Sequence, residues 1–246
     1  MKLQRLPWAG IRILAGDTAI VIDPITRIPE KFGGSREPMY PLDSFGKADA
    51  VLITHLHDDH FDPEAIIAAY GASVPVYVPA EVADAARAAG LEKVTGAAVG
   101  SSFELGDGIT VTATFSVDGI GDIQVAWIIE GAGRKVIHCG DTLWHGYWWK
   151  IAKRYGPFDA AFLPVNGAVL ELPGMASSSQ PICLTPEQAI SAAAILEAGT
   201  LVPIHYGALH YPPIYNETPD IGPRLAAAAE DKVKLSMIKA TENVTL

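Results

Sequence analysis

Between positions 54 and 60 the chain reads Thr54-His55-Leu56-His57-Asp58-Asp59-His60. Three imidazoles and two carboxylates fall within six residues, and these are the side chains from which proteins build sites for zinc and similar divalent ions. The run follows Ala50-Val51-Leu52-Ile53-Thr54, a continuous apolar stretch that reads as a buried strand. Alternate residues of a strand share a face, so the strand end aims His55 and His57 to one side. A turn after them can return Asp59 and His60 toward the same point. The competing reading is a solvated polar loop, which would gather this many metal-binding side chains to no purpose.

The elements that must position these residues are patterned along the rest of the chain. Residues 10–14 and 19–23 flank a turn and predict a hairpin. Residues 24–46, punctuated by proline and paired glycine, read as a long loop of the kind that commonly carries function. Asp62-Pro63-Glu64 is a helix start, with Asp as N-cap and Pro at the first helical position, for a helix to Tyr70. A strand over 74–78 and a helix over 80–89 follow, and then three strands over 109–115, 123–130 and 135–138. Gly106-Asp107-Gly108 is a hairpin turn. A helix over 147–155 and a strand over 160–164 come next, before the capping box Thr185-Pro186-Glu187-Gln188 opens another helix. A strand over 201–204, a helix over 220–229 and a strand over 233–238 finish the chain. Hairpins first, then strands alternating with helices, predict an α/β (α+β) fold of two packed sheets with helices outside. Residues 174–181, with Ser177-Ser178-Ser179, read as a surface loop. Without a Gly-X-Ser-X-Gly context they offer no serine nucleophile.

Composition narrows the function classes. The 18 Lys and Arg against 28 Asp and Glu leave a formal charge of −10, which argues against a nucleic-acid partner. At 49% hydrophobic the chain is not disordered. Its 246 residues suit a single domain over 1–246 with a core large enough to need no disulfide staples. Two cysteines, Cys139 and Cys183, make no disulfide framework and point to a reducing, cytoplasmic setting. Met1-Lys2-Leu3-Gln4-Arg5-Leu6-Pro7 lacks the apolar centre of a signal peptide, and no run approaches the ~18 apolar residues of a membrane span.

The stretch from His55 to His60 resembles the His-X-His-X-Asp-His signature of the metallo-β-lactamase-fold hydrolases. The likeness extends along the chain: a hairpin ending in Asp23-Pro24, a Gly-Asp-Thr motif in His138-Cys139-Gly140-Asp141-Thr142, and a late Pro203-Ile204-His205-Tyr206-Gly207. Pro186-Glu187-Gln188-Ala189 is similar to the subgroup of ascorbate-6-phosphate lactonase and N-acyl-phosphatidylethanolamine phospholipase D. The resemblance implies a four-layer αββα sandwich and one or two divalent metal ions, zinc first and manganese second. It assigns His55 and His57 to one metal, Asp59, His60 and His205 to another, and Asp141 to a bridge between them. His210, five residues beyond His205, is a rival for its place.

Two departures stand out. The family's third histidine for the first metal has no counterpart between His60 and His138. Asp118 falls nearest that position, either as a replacement ligand that favours oxygen-preferring metals or as a turn residue before Gly119. Cys183 stands where the subgroup often has histidine, as a pocket residue or a small buried hydrophobe. For catalysis the resemblance implies a metal-activated water, with Asp59 orienting it. His145 is a candidate proton donor or replacement ligand. Two segments are expected to wall the pocket: residues 24–46 with Arg27, Lys31, Phe32, Arg36 and Tyr40, and residues 144–149 with their tryptophans. The expected activity is hydrolysis of a small ester, lactone or phosphodiester, with a small-molecule substrate and oligomeric state left open. The net charge counts against a nuclease of the same fold. The alternative of another class is a metal-binding relative without turnover, with a regulatory or scaffold role.

Overall fold

Alternation along the strands sorts apolar residues onto two faces, and this sorting builds the layers. The computed structural model describes residues 1–177, 179–244 and 246, so Ser178 of the serine run lies outside the described residues. One sheet holds β1 (Lys2–Arg5), β2 (Ile11–Ala15), β3 (Thr18–Ile22), β4 (Ala50–Leu52), β5 (Pro75–Pro79) and β6 (Lys93–Ala97). The other holds β7 (Ser102–Glu104), β8 (Thr110–Phe115), β9 (Val125–Gly131), β10 (Arg134–His138) and β11 (Phe158–Pro164). After a short ribbon of β12 (Val169–Leu170) with β14 (Tyr215–Asn216), this second sheet is completed by β13 (Ala198–Ile204) and β15 (Lys234–Leu235). The last strand, β16 (Asn243–Val244), returns to the first sheet and pairs with β1. The orders are β16-β1-β2-β3-β4-β5-β6 and β15-β13-β11-β10-β9-β8-β7. Each sheet begins with antiparallel hairpins and continues as a parallel half, β3 to β6 in one and β10, β11, β13, β15 in the other.

The faces follow from the sequence. In β9, Val125, Trp127 and Ile129 pack with Ile11, Ile13, Ile20 and Ile22 of the opposite sheet. The intervening Ala126 and Ile128 pack with helices α3 (Trp148–Tyr155), α4 (Pro186–Ile195) and α5 (Ile221–Ala229) through Trp148, Ile190 and Leu225. In β4, Leu52 joins the core between the sheets, while Val51 packs with Ile66 of α1 (Pro63–Tyr70) and Ala86 of α2 (Ala83–Ala88). Helices therefore cover both outer faces, and the αββα layering is as the sequence predicts. Asp62 caps α1 by accepting from the Ala65 N–H at 3.1 Å, and the Thr185–Gln188 box closes at the start of α4. Among the described residues no helix is long and apolar enough to cross a membrane. Both cysteines are free and buried.

Some elements differ from expectation. The helix expected over 80–89 opens as a single 3-10 turn, Ala80–Val82, before α2. The strand expected over 233–238 shrinks to β15. The long loop holds two 3-10 turns, Glu30–Phe32 and Leu42–Phe45, the second burying Leu42 and Phe45.

Candidate metal centre

The first strand-end segment begins just past β4, whose residues are all buried. Asp118 lies just past β8, Asp141 just past β10, and His205 directly follows β13. These strands present their carboxyl ends at one edge of the sandwich, where α/β sheets place their ligands. One ligand atom each from His55, His57, Asp118 and Asp141 lies within 4.8 Å of the others. The same holds for Asp59, His60 and His205, and for Asp141, Cys183 and His205. His145 and His210 join none of these groups among the described residues.

Hydrogen bonds fix which atom each side chain offers. Asp23 is fully buried just past β3 and accepts from the Thr54 N–H at 2.8 Å, the Thr54 hydroxyl at 2.6 Å and His60 Nδ1 at 2.8 Å. Thr54 has one hydroxyl proton and gives it to that carboxylate, so the 3.0 Å contact with His55 Nδ1 makes His55 the donor. One carboxylate thus sets the tautomer of two histidines and leaves both Nε2 atoms facing inward. His57 turns its Nε2 out to Asp122 Oδ2 at 2.7 Å and its Nδ1 in, 2.9 Å from His55 Nε2. Asp118 closes a turn with one oxygen and faces His57 with the other. Its Oδ1 accepts the N–H groups of Ile120, Gly121 and Asp122 at 2.8, 2.7 and 3.0 Å, and its Oδ2 lies 3.8 Å from His57 Nδ1.

Sequence reasoning missed Trp8. Its indole N–H donates to Asp59 Oδ2 at 3.1 Å, and its ring packs on the His205 ring at 4.0 Å. The Trp8 carbonyl also accepts the His205 N–H at 3.2 Å. Trp8, Asp23 and His205 all have positive φ, at 59°, 44° and 57°. Non-glycine residues held there store strain, which gathers at functional sites. The advance signals for Asp23 are its place in the Asp23-Pro24 hairpin end and an acidic residue closing a largely apolar strand, neither of which gives it a role. Nothing in the local sequence marks Trp8. Gly140 precedes Asp141 with φ 63°, and a Cβ there would fall 2.8 Å from Gln124 Oε1 and 2.9 Å from Thr54 Oγ1. Only glycine makes that turn.

Among the described residues three buried ligand-type atoms of these groups have no hydrogen-bond partner, His60 Nε2, His205 Nε2 and Asp141 Oδ1, and the two histidine nitrogens face Asp59 Oδ2 at 3.9 and 3.4 Å. Orphaned buried polar atoms cost about 1–3 kcal/mol each, and here they belong to the converging groups. The donor set, imidazole nitrogen with carboxylate oxygen, fits a divalent cation. Burial shapes the titration of the cluster. It drives His205 down to about 4 and, with His60 and His57 alongside, His55 well below the usual histidine range. Burial also pulls His60 down, but the Asp23 hydrogen bond and the Asp59 charge outweigh it and lift His60 to about 9. Burial pushes the Asp141 carboxyl up to about 7. For Asp59 burial is outweighed by His205 and His60, which hold it below the usual carboxylate range.

The expected pocket walls are less direct. Arg27 and Lys31 pair on the surface with Glu64 at 3.3 Å and Asp58 at 3.1 Å. Trp148 is helix core and fully buried, whereas Trp149 is 57% exposed. His145 stacks on Trp148 at 4.0 Å, accepts the Tyr147 N–H through Nδ1, and is pushed by burial to about 4.

Residues 18–206 match the model of the Beta-lactamase superfamily domain. A UPF0173 protein of Pyrococcus furiosus is 31% identical over 67% of this chain and 71% of its own length. A UPF0173 metal-dependent hydrolase of Thermococcus kodakarensis is 26% identical over the whole of both chains. Among solved structures, the metallo hydrolase Igni18 from Ignicoccus hospitalis superposes with a TM-score of 0.75, at 24% identity over 99% of this chain and 97% of that one. The last likeness bears on the fold.

Proposed function

Since the chain belongs to the Beta-lactamase superfamily domain family and is a metal-dependent hydrolase of the metallo-β-lactamase superfamily, we propose that its clustered side chains hold two divalent cations for hydrolysis of a small ester, lactone or phosphodiester. One observation carries this reading: the unpartnered, buried His60 Nε2, His205 Nε2 and Asp141 Oδ1 belong to the groups that converge. His55, His57, Asp118 and Asp141 would hold one cation, and Asp59, His60 and His205 the other, with Asp141 between them. Zinc is the first candidate and manganese the second. Such cations, when bound, lower the pKa of water from 15.7 toward ~7 and polarise a carbonyl or phosphoryl oxygen.

The chain's own residues do the positioning. Trp8 fixes Oδ2 of Asp59, so that the other oxygen would be left to orient the attacking water. Asp23 and Thr54 hold His60 and His55 in one tautomer each. Burial keeps bulk water from competing at the cluster. Gly119 and Ile120, next to Asp118, and Ile182, next to Cys183, line a cleft of about 200 Å³ with Leu170 and Met175. This apolar cleft suits the uncharged part of an ester or lactone. The reading without turnover rests on the absent third histidine, and Asp118 Oδ2, turned toward His57, weighs against it.

The test is a panel of esters, lactones and phosphodiesters with wild type, Asp59→Asn and Asp141→Asn. Turnover should fall about 100-fold or more in each variant while circular dichroism stays native. Unchanged turnover in a folded variant would remove these residues from the site.

A further inference from the structure

The apolar cleft beside the cluster takes its walls from residues next to both donor sets. On one side Asp118 Oδ2 lies 3.8 Å from His57 Nδ1, and Asp118 Oδ1 accepts the Ile120 N–H at 2.8 Å. One carboxylate therefore faces the centre and fixes the turn that carries Ile120. On the other side Cys183 Sγ lies 3.9 Å from His205 Nδ1, and Ile182 precedes it in the chain. The two walls meet at Gly119. A Cβ there would fall 2.0 Å from the Ile182 carbonyl oxygen, so only glycine lets the backbones close on each other. Leu170 and Ile182 are packed against the core between the sheets, while Ile120 and Met175 are 44% and 59% exposed and leave apolar surface open to solvent. No described residue lining the cleft is charged. The cations of the long loop are committed elsewhere: Arg27 and Lys31 pair with Glu64 and Asp58, and Arg36 lines a separate cleft with Glu217 and Asp220. Among the described residues no side-chain cation of that loop is left for an anionic substrate.

From this, and resting on the hydrolytic reading above, we propose that the substrate is an uncharged carboxylic ester with a linear acyl chain of medium length, and that the chain lies in this cleft. Ile120, Leu172, Met175 and Ile182 then set specificity. At about 30 Å³ for a water-sized group, a cleft of about 200 Å³ takes roughly six or seven carbons. Each methylene removed from water strengthens binding before and during the reaction alike, so the preference for longer chains falls on KM and not on kcat. The reaction adds water across the ester. The acyl carbon–oxygen bond breaks, the oxygen of water bonds to the acyl carbon, one proton goes to the leaving alcohol oxygen and the other is released from the acid.

Two readouts on the zinc-loaded full chain test this. In a series of p-nitrophenyl esters from acetyl to dodecanoyl, kcat/KM is expected to rise about 3–4-fold per methylene and to level off at roughly six or seven carbons. Leu172→Asp, at a half-buried loop position of the cleft, should flatten the series. Met175→Ser, at an exposed position, should lower the slope even where Leu172→Asp fails to fold. Independently of turnover, octanamide should shift the methyl resonances of Ile120, Met175 and Ile182 further than acetamide does. Esters cleaved with no dependence on chain length, methyl signals that stay in place, or bis(p-nitrophenyl) phosphate cleaved faster than every ester would overturn the acyl assignment and leave the hydrolytic reading standing. Zinc bound with no ester or phosphodiester turned over would overturn the hydrolytic reading, and this proposal with it.

Discussion

Asp23 governs two histidines although no short motif links it to either. It holds His60 directly at 2.8 Å and His55 through the Thr54 hydroxyl. Removing such an outer partner typically costs 10–100-fold in metal affinity. Asp23→Asn should therefore weaken zinc binding about 10–100-fold with the fold intact by circular dichroism, as titration against a competing chelator would show. Unaltered affinity would mean that Asp23 serves packing alone. His145 acts at the same scale through protonation. Burial lowers it to about 4 in the folded chain, against 6.5 for an ordinary histidine. Between those values the unfolded chain binds the extra proton, so this group removes stability as pH falls from about 6.5 toward about 4. His145→Phe keeps a ring against Trp148 and removes the titration. In excess chelator, its denaturation midpoint should drop less between pH 7 and pH 4.5 than that of wild type. Equal drops would show that His145 titrates normally.

Between elements, the sheets are tied beside the site. Trp127 of β9 donates its indole N–H to the Ile53 carbonyl at 3.0 Å, just before Thr54 and His55. The Val125 N–H donates to the Thr54 carbonyl at 3.0 Å. Trp127→Phe leaves the Ile53 carbonyl buried without that partner, and should cost about 1–3 kcal/mol in urea denaturation. A loss under ~0.5 kcal/mol would show that the ring's packing, not its N–H, matters there. What was legible in the sequence follows the range of the signal. The β2–β3 hairpin, β4, α1 and α4 announce themselves through continuous apolar runs, Asp62 and the Thr185 box. β1 and the edge strand β16 escape because their pairing joins Leu3 to Val244, a contact that no local pattern can carry. The site divides the same way. His55, His57, Asp59 and His60 stand in one motif, and resemblance extends the set to Asp141 and His205. Asp23 stands in the sequence only as a hairpin end, and its role at the site, like that of Trp8, is found only once the fold brings them near.

Across the whole molecule, two sheets that each pass from hairpins to parallel strands put the ends of β4, β8, β10 and β13 at one edge. Donors separated by 150 residues of chain (His55 to His205) meet only in the folded state, so metal binding is also folding free energy. With free zinc a thousandfold above its Kd, binding adds about 4 kcal/mol. For a chain of this size that is roughly 8–16 °C of Tm, and excess chelator should remove it in a calorimetric scan. An unchanged Tm would mean that the cluster holds no structural cation. The most direct measurement is elemental analysis of chain purified without chelator, beside Asp141→Asn. Two divalent cations per chain in wild type, and fewer in the variant, is the expected result. A chain that stays empty after soaking in zinc or manganese would contradict the metal centre itself.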